Sequence, residues 1–265
     1  NELAIGHRSG FDLMILHSHR EVQAYADVID ALGGGPRLAL ASLPFLARTA
    51  QKTTEGRAVV FAAQALVPAA ADQRRAILTA LAAMPPGLDP VVKVRALPGE
   101  RQTHNEDLPY TQLWAEMTRS RPVTFIGGSM ADALGGAVGF VTVSSTAALE
   151  AIAAGVPTLI LDEFGVSDTL INTVFIGSGL LGGLGQLTAG RFHHPHEDWL
   201  TDNYFHAESD NDWVSAIEEL HRSRHHLPSF ARDPHALTTR IRRQLRVLPP
   251  ESVWRVLRRF RTQTG

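Results

Sequence analysis

The stretch from Val138 to Gly165, VGFVTVSSTAALEAIAAGVPTLILDEFG, constrains the fold more than any other part of the chain. An apolar, β-branched run (138–143) leads through Ser144, Ser145 and Thr146 into a helix of small residues, which stops at Gly155 before a second apolar run (156–161). Short apolar runs on either side of a helix of roughly ten residues predict a βαβ unit with two buried parallel strands. The three hydroxyls then sit where strand becomes helix. Two readings fit that place. Unpaired helical N–H groups and the positive end of the macrodipole favour an anion such as a phosphate, and ligands of open α/β sheets bind at the carboxyl ends of strands. Ser and Thr are also ordinary N-caps, although Glu150 lies too far along for a strict capping box.

The rest of the chain repeats the alternation. Residues 12–16, 20–32 and 37–43 read as strand, helix and strand, with Gly33-Gly34-Gly35-Pro36 ending the helix. After the polar stretch 49–56, strands are predicted at 57–63, 90–96 and 122–126, with helices at 71–84, 108–119 and 130–137. So many βα repeats predict a parallel doubly wound sheet with right-handed crossovers. Residues 165–195 read as a glycine-rich loop segment, 212–224 as an amphipathic helix, and 235–262 as a basic helical tail. The expected domains are a partial N-terminal Rossmann-like segment, 1–50, and a C-terminal nucleotide-binding domain with a helical tail, 51–265.

Composition narrows the function. A formal charge of -2 argues against a dedicated nucleic-acid binder. The absence of cysteine excludes disulfides, thiolate metal sites and Cys nucleophiles. No run of about 18 apolar residues is present and no leader is visible, so the expected compartment is the cytoplasm. The chain begins at Asn1, and a strand follows almost at once, which gives the expectation of a fragment.

Parallel strands would gather polar groups on one rim: Gln64 after one strand; Lys93 and Arg95 on the next, with Glu106 beyond; Gly128 and Ser129; the hydroxyl trio; and Asp162. Lys93 is one of two lysines in the chain. Alternating with Arg95 in VVKVR, it needs an anionic partner if buried, either a ligand phosphate or Glu100 or Glu106. His104, in GERQTHNEDLPY, is a candidate leaving-group contact. His17 and His19 stand directly after the first strand; a general base for an acceptor and a plain polar turn both fit them. The histidines at 193–196 and 221–226 lack recognised zinc spacing and read as surface residues. The tail's arginines interleave with Val253, Trp254, Val256, Leu257 and Phe260, which suits packing onto the protein or contact with an anionic membrane.

This arrangement resembles GT-B glycosyltransferases. The second sheet is similar to the nucleotide-binding half of sialyltransferase- and polysialyltransferase-like enzymes and of glycerophosphotransferases of wall-polymer synthesis. The shared elements are Val143-Ser144-Ser145-Thr146 followed by Gly155-Val156-Pro157. The Lys-x-His-Pro element of those families is replaced here by Lys93-Val94-Arg95. GERQTHNEDLPY, VTVSSTAALEA and FIGSGLL resemble stretches of uncharacterised actinobacterial GT-B-like proteins. The resemblance implies a metal-independent transferase with a nucleotide-sugar donor, a glycan or lipid-linked acceptor and no cofactor, working in cell-surface polysaccharide or glycolipid synthesis. It implies that Ser144, Ser145 and Thr146 contact the donor phosphate, and that the front of the N-terminal domain is absent. A CDP-glycerol-type glycerophosphotransferase and a non-catalytic nucleotide-binding scaffold are the alternatives.

Overall fold

The structure is a computed structural model that describes residues 11–46, 56–97, 106–117 and 121–223. His104 and the basic tail lie outside the described residues, and so does the membrane contact expected of that tail. In chain order the elements are β1 (Leu13–Leu16), α1 (His19–Leu32), β2 (Arg37–Leu40), β3 (Ala58–Ala62), α2 (Ala71–Ala82), β4 (Asp89–Lys93), α3 (Tyr110–Glu116) and β5 (Thr124–Ile126). They continue as α4 (Met130–Leu134), β6 (Ala137–Thr142), α5 (Ala147–Ala153), β7 (Thr158–Leu161), β8 (Leu181–Gly182), α6 (Leu184–Thr188), α7 (Glu197–Asp202) and α8 (Trp213–Ser223). The α/β expectation is borne out: every strand pair among the described residues is parallel.

The chain divides into two units, one holding the described residues of 11–42 and 202–223, the other residues 43–201. In the first, β1 and β2 pair in register from Leu13↔Arg37 to Leu16↔Leu40, and α8 packs on both strands. Helix α1 begins at Ser18, whose hydroxyl accepts from the Glu21 amide at 3.0 Å. It ends at Gly33, whose left-handed φ of 73° lets the Gly33 and Gly34 amides cap Asp30 and Ile29 carbonyls. At the end of β2 and just past it, Asp212 and Asn211 accept from the Leu40 and Ser42 amides at 2.6 and 2.8 Å.

The larger unit carries a sheet of order β5-β4-β3-β6-β7-β8. Its first strand, β3, lies in the middle, and the chain builds outward to one side through β4 and β5 and to the other through β6, β7 and β8. The direction reverses between β3 and β6, and the two connections leave a crevice beyond their carboxyl ends. Val59, Phe61, Val92, Val141, Leu159 and Leu161 are essentially inaccessible, and α2 covers them with Ile77, Leu78 and Leu81. Continuous apolar strands are what burial on both faces demands. The segment expected to be loop (165–195) contains the two-residue strand β8 and the short helix α6, elements too brief for periodicity to reveal.

One close approach is specific to this packing. A Cβ on Gly139, in β6, would stand 2.7 Å from the Phe192 ring. We therefore expect Gly139→Ala to lower stability by about 1–3 kcal/mol in urea unfolding, because the ring must move within a filled core. Unchanged stability would contradict the packing of Phe192 on β6.

Candidate functional site

At the reversal point the rim is built from the ends of β3, β4 and β6. Gln64, just past β3, reaches Ser144, just past β6. Its side-chain oxygen accepts from the Ser144 amide at 3.0 Å, and its amide and the Ser144 hydroxyl lie 3.1 Å apart. A clasp between residues 80 apart thus closes the crevice floor. Next in line, the Ser145 amide donates to Thr142 Oγ1 at 3.2 Å, and Ser145 Oγ accepts from the Ala147 amide at 3.2 Å. Thr146 makes no side-chain cap and is exposed.

A hollow of about 190 Å³ opens beside this turn. It is lined by Gln64, Lys93, Arg95, Ser145, Thr146 and Glu150, together with small and apolar residues including Met130 and Ala147. Lys93 is the last residue of β4 and Arg95 stands in the bend just past it, so the strand is shorter than the expected 90–96 and the bend, not strand alternation, carries Arg95. Lys93 is 8% exposed and its ammonium donates to the Val94 carbonyl at 2.8 Å, while Arg95 is exposed. Residues bearing two cations, two hydroxyls and one carboxyl therefore line one hollow at the crevice. The carboxyl of Glu150 is the residue that the sequence reading missed. Its signal was spacing: Thr146 and Glu150 are four apart at a helix start and share a face.

The other expected residues are placed elsewhere. Ser129 caps α4, its hydroxyl accepting from the Asp132 amide at 3.1 Å and donating to the Asp132 carboxylate at 2.6 Å, and Gly128 before it has φ 79°. Asp162 follows β7, with its amide donating to Gly182 O at 3.1 Å, and is not among the lining residues. Glu106 accepts from Arg74 at 2.6 Å and lines a neighbouring cavity of about 360 Å³ with Tyr110 and Gln112. In the first unit, the His17 ring Nδ1 lies 2.7 Å from the Ala41 carbonyl. A carbonyl only accepts, so Nδ1 carries a proton, and in the neutral ring the lone pair falls on Nε2. His19 pairs with Asp210 at 3.1 Å and lies edge-on to His206, the ring centroids 5.4 Å apart.

Arg74, on α2, was not singled out from the sequence, yet it is 2% exposed and knits the rim. Its guanidinium donates to the carbonyls of Pro68 (2.8 Å), Ala65 (2.5 Å), Gln64 (3.4 Å) and Leu108 (2.6 Å), as well as to Glu106, and it lies 4.9 Å from the Tyr110 ring centre. The signal was a cation on an apolar stripe: Arg74, Ile77, Leu78 and Leu81 share the buried face of one helix. Among the described residues no group of three or more His, Asp or Glu side chains is placed to hold a metal ion, and no helix is long and apolar enough to cross a membrane.

Burial holds the Glu150 carboxyl above its usual pKa. Such a group keeps its proton in the folded protein after the unfolded chain has released it. Stability therefore falls as pH rises from the unfolded value of about 4.3 through the higher folded one. Glu150→Gln removes that loss, so its melting temperature should vary less with pH across this window and exceed that of the parent at neutral pH. Identical pH profiles would show that Glu150 is not held in a desolvated place.

Over residues 1–220 the chain matches a family described as "Putative glycosyltransferase (DUF6716)". No curated protein matches it. Similar solved structures include Anabaena HepE in complex with UDP and glucose, at 16% identity and a TM-score of 0.43, covering 85% of this chain and 66% of that one. Others are the calicheamicin glycosyltransferase CalG4, at 16% and 0.37 with 90% and 55% covered, and the spinosyn rhamnosyltransferase SpnG, at 17% and 0.35 with 70% and 48% covered. The chain thus spans between about half and two thirds of the length of these structures.

Proposed function

This chain belongs to that family, and from that premise we propose that it is a glycosyltransferase whose nucleotide-sugar donor places its phosphates in the hollow beside Ser145. The observation that carries the reading is the convergence of Lys93, Arg95, Ser145 and Thr146 on one hollow at the reversal point of a parallel sheet. Transfer breaks the bond between the sugar and the terminal phosphate oxygen, and negative charge grows on the departing nucleotide. Fixed cations and hydroxyls beside that oxygen stabilise the charge as it develops, so they lower the barrier as well as holding the donor. Glu150, in the lining of the same hollow, offers an acceptor to the donor's hydroxyl groups. A glycan or lipid-linked hydroxyl is the acceptor class that this chemistry serves, in cell-surface polysaccharide or glycolipid synthesis.

The acceptor hydroxyl must lose a proton as it attacks. In the first unit His17 has the needed form: Nδ1–H is anchored on the Ala41 carbonyl, so Nε2 is the basic nitrogen. We assign it the role of general base. His19 is tied to Asp210 and serves the local structure.

Two outcomes test this. Titration calorimetry and thermal shift with UDP, GDP, CDP and CMP should find at least one that binds. At a hundredfold excess over Kd that nucleotide adds about 2.7 kcal/mol of stability. Lys93→Ala and Arg95→Ala should each weaken its binding by about tenfold or more, since charge-assisted bonds are worth about 1.5–3 kcal/mol. No binding by any of the four, or unchanged affinity in both variants, would remove the donor site from this hollow. Transfer of glycerol phosphate from CDP-glycerol, without sugar transfer, would replace the glycosyl reading. For the base, His17→Ala should lower kcat by about 10²–10⁴-fold with donor affinity retained; an undiminished kcat would exclude it.

A further inference from the structure

We propose that Arg74, which does not itself line the hollow, is the positioning residue of the donor site and acts on it through Gln64; the claim rests on the donor reading above. The connection is continuous in hydrogen bonds. The guanidinium holds the Gln64, Ala65 and Pro68 carbonyls, which fixes the path of the chain as it leaves β3. The Gln64 side chain, on that fixed path, is bound at both its ends to Ser144. Ser144 opens the turn whose next two residues line the hollow. Toward the other side, the same guanidinium holds Glu106 and the Leu108 carbonyl, which fixes the return of the chain after β4, the strand that bears Lys93. One buried cation thus ties the chain that leaves β3 to Glu106 and Leu108.

The geometry suits arginine alone. A guanidinium projects five N–H groups in a plane and serves carbonyls on several sides at once; an ammonium in its place keeps the charge but cannot span them. Arg75, the next residue, faces outward and pairs with Glu116 at 3.0 Å, which makes it the natural control. If Arg74 acts through Gln64, then removing either link disables the same thing. Losses at two sites that share one path do not add, whereas independent losses multiply as fold-changes.

The experiment is a double-mutant cycle of Arg74→Lys and Gln64→Ala, read in two ways on the full chain. The first is amide hydrogen exchange at Ser144 without ligand: Arg74→Lys should speed it, as Gln64→Ala does, while Arg75→Ala leaves it unchanged. The second is the affinity for whichever of UDP, GDP, CDP and CMP the parent binds. Each single variant should weaken binding by about tenfold and the double variant by about tenfold also. A double variant weaker by about a hundredfold, or Ser144 exchange unmoved by Arg74→Lys, overturns the proposal. Should Arg74→Lys fail to fold, Glu106→Gln loosens the same guanidinium without emptying its site and takes its place in the cycle with the same two criteria. A parent chain that binds none of the four nucleotides refutes the donor reading, and Ser144 exchange then still decides whether Arg74 governs Gln64.

Discussion

A charged guanidinium inside a protein is tolerated only when every direction in which it can donate is met. Desolvating such an ion costs several kcal/mol, and removing a partner from a buried pair costs about 3–5 kcal/mol. Arg74 meets this demand with four backbone carbonyls and one carboxylate. Those acceptors lie in the two loops that follow β3 and β4, the places where a parallel sheet presents ligands. The requirement to satisfy one ion therefore dictates the shape of the rim. The surrounding apolar residues, Ile77, Leu78 and Leu81 on the same helix, leave the ion no route to water and so make the bonds obligatory.

The sheet order gives this local knot its reach. With β3 at the centre and growth in both directions, the carboxyl ends of β3 and β6 face each other across the reversal point. Gln64 and Ser144 occupy those ends and bind one another. Lys93 and Arg95 reach it from the end of β4 and the bend past it, Thr146 and Glu150 from the N-cap and first turns of α5. None of these side chains is unusual alone. Their assembly follows from three strand ends being brought level by parallel pairing, in which Ala62 lies opposite Lys93 and Phe61 opposite Val141.

Much of this was legible in the sequence, for reasons that can be named. The strands and helices show through because buried parallel strands must be uninterruptedly apolar and because Gly33 and Gly155 mark helix ends. Lys93, Arg95, Ser145 and Thr146 were recognisable as strand-end polar groups, and the hollow gathers those four. What could not be read depends on contacts between distant residues. The clasp of Gln64 on Ser144 spans 80 positions. Strand order likewise sets which ends meet, and periodicity carries no record of it. Ser129 was expected at the donor and instead caps its own short helix, since a serine before a helix serves both purposes equally well. Arg74 and Glu150 had local signals, a cation on an apolar stripe and an i, i+4 neighbour of a rim threonine, that become meaningful once the rim is known.

The central claim is that the hollow beside Ser145 receives the phosphates of a nucleotide. Its most direct test is a crystal structure of the full chain with the tightest-binding nucleoside diphosphate. The account predicts phosphate oxygens within hydrogen-bond distance of Ser145 or Thr146 and of at least one of Lys93 and Arg95. A well-ordered nucleotide seated elsewhere, with this hollow filled only by water, would contradict it.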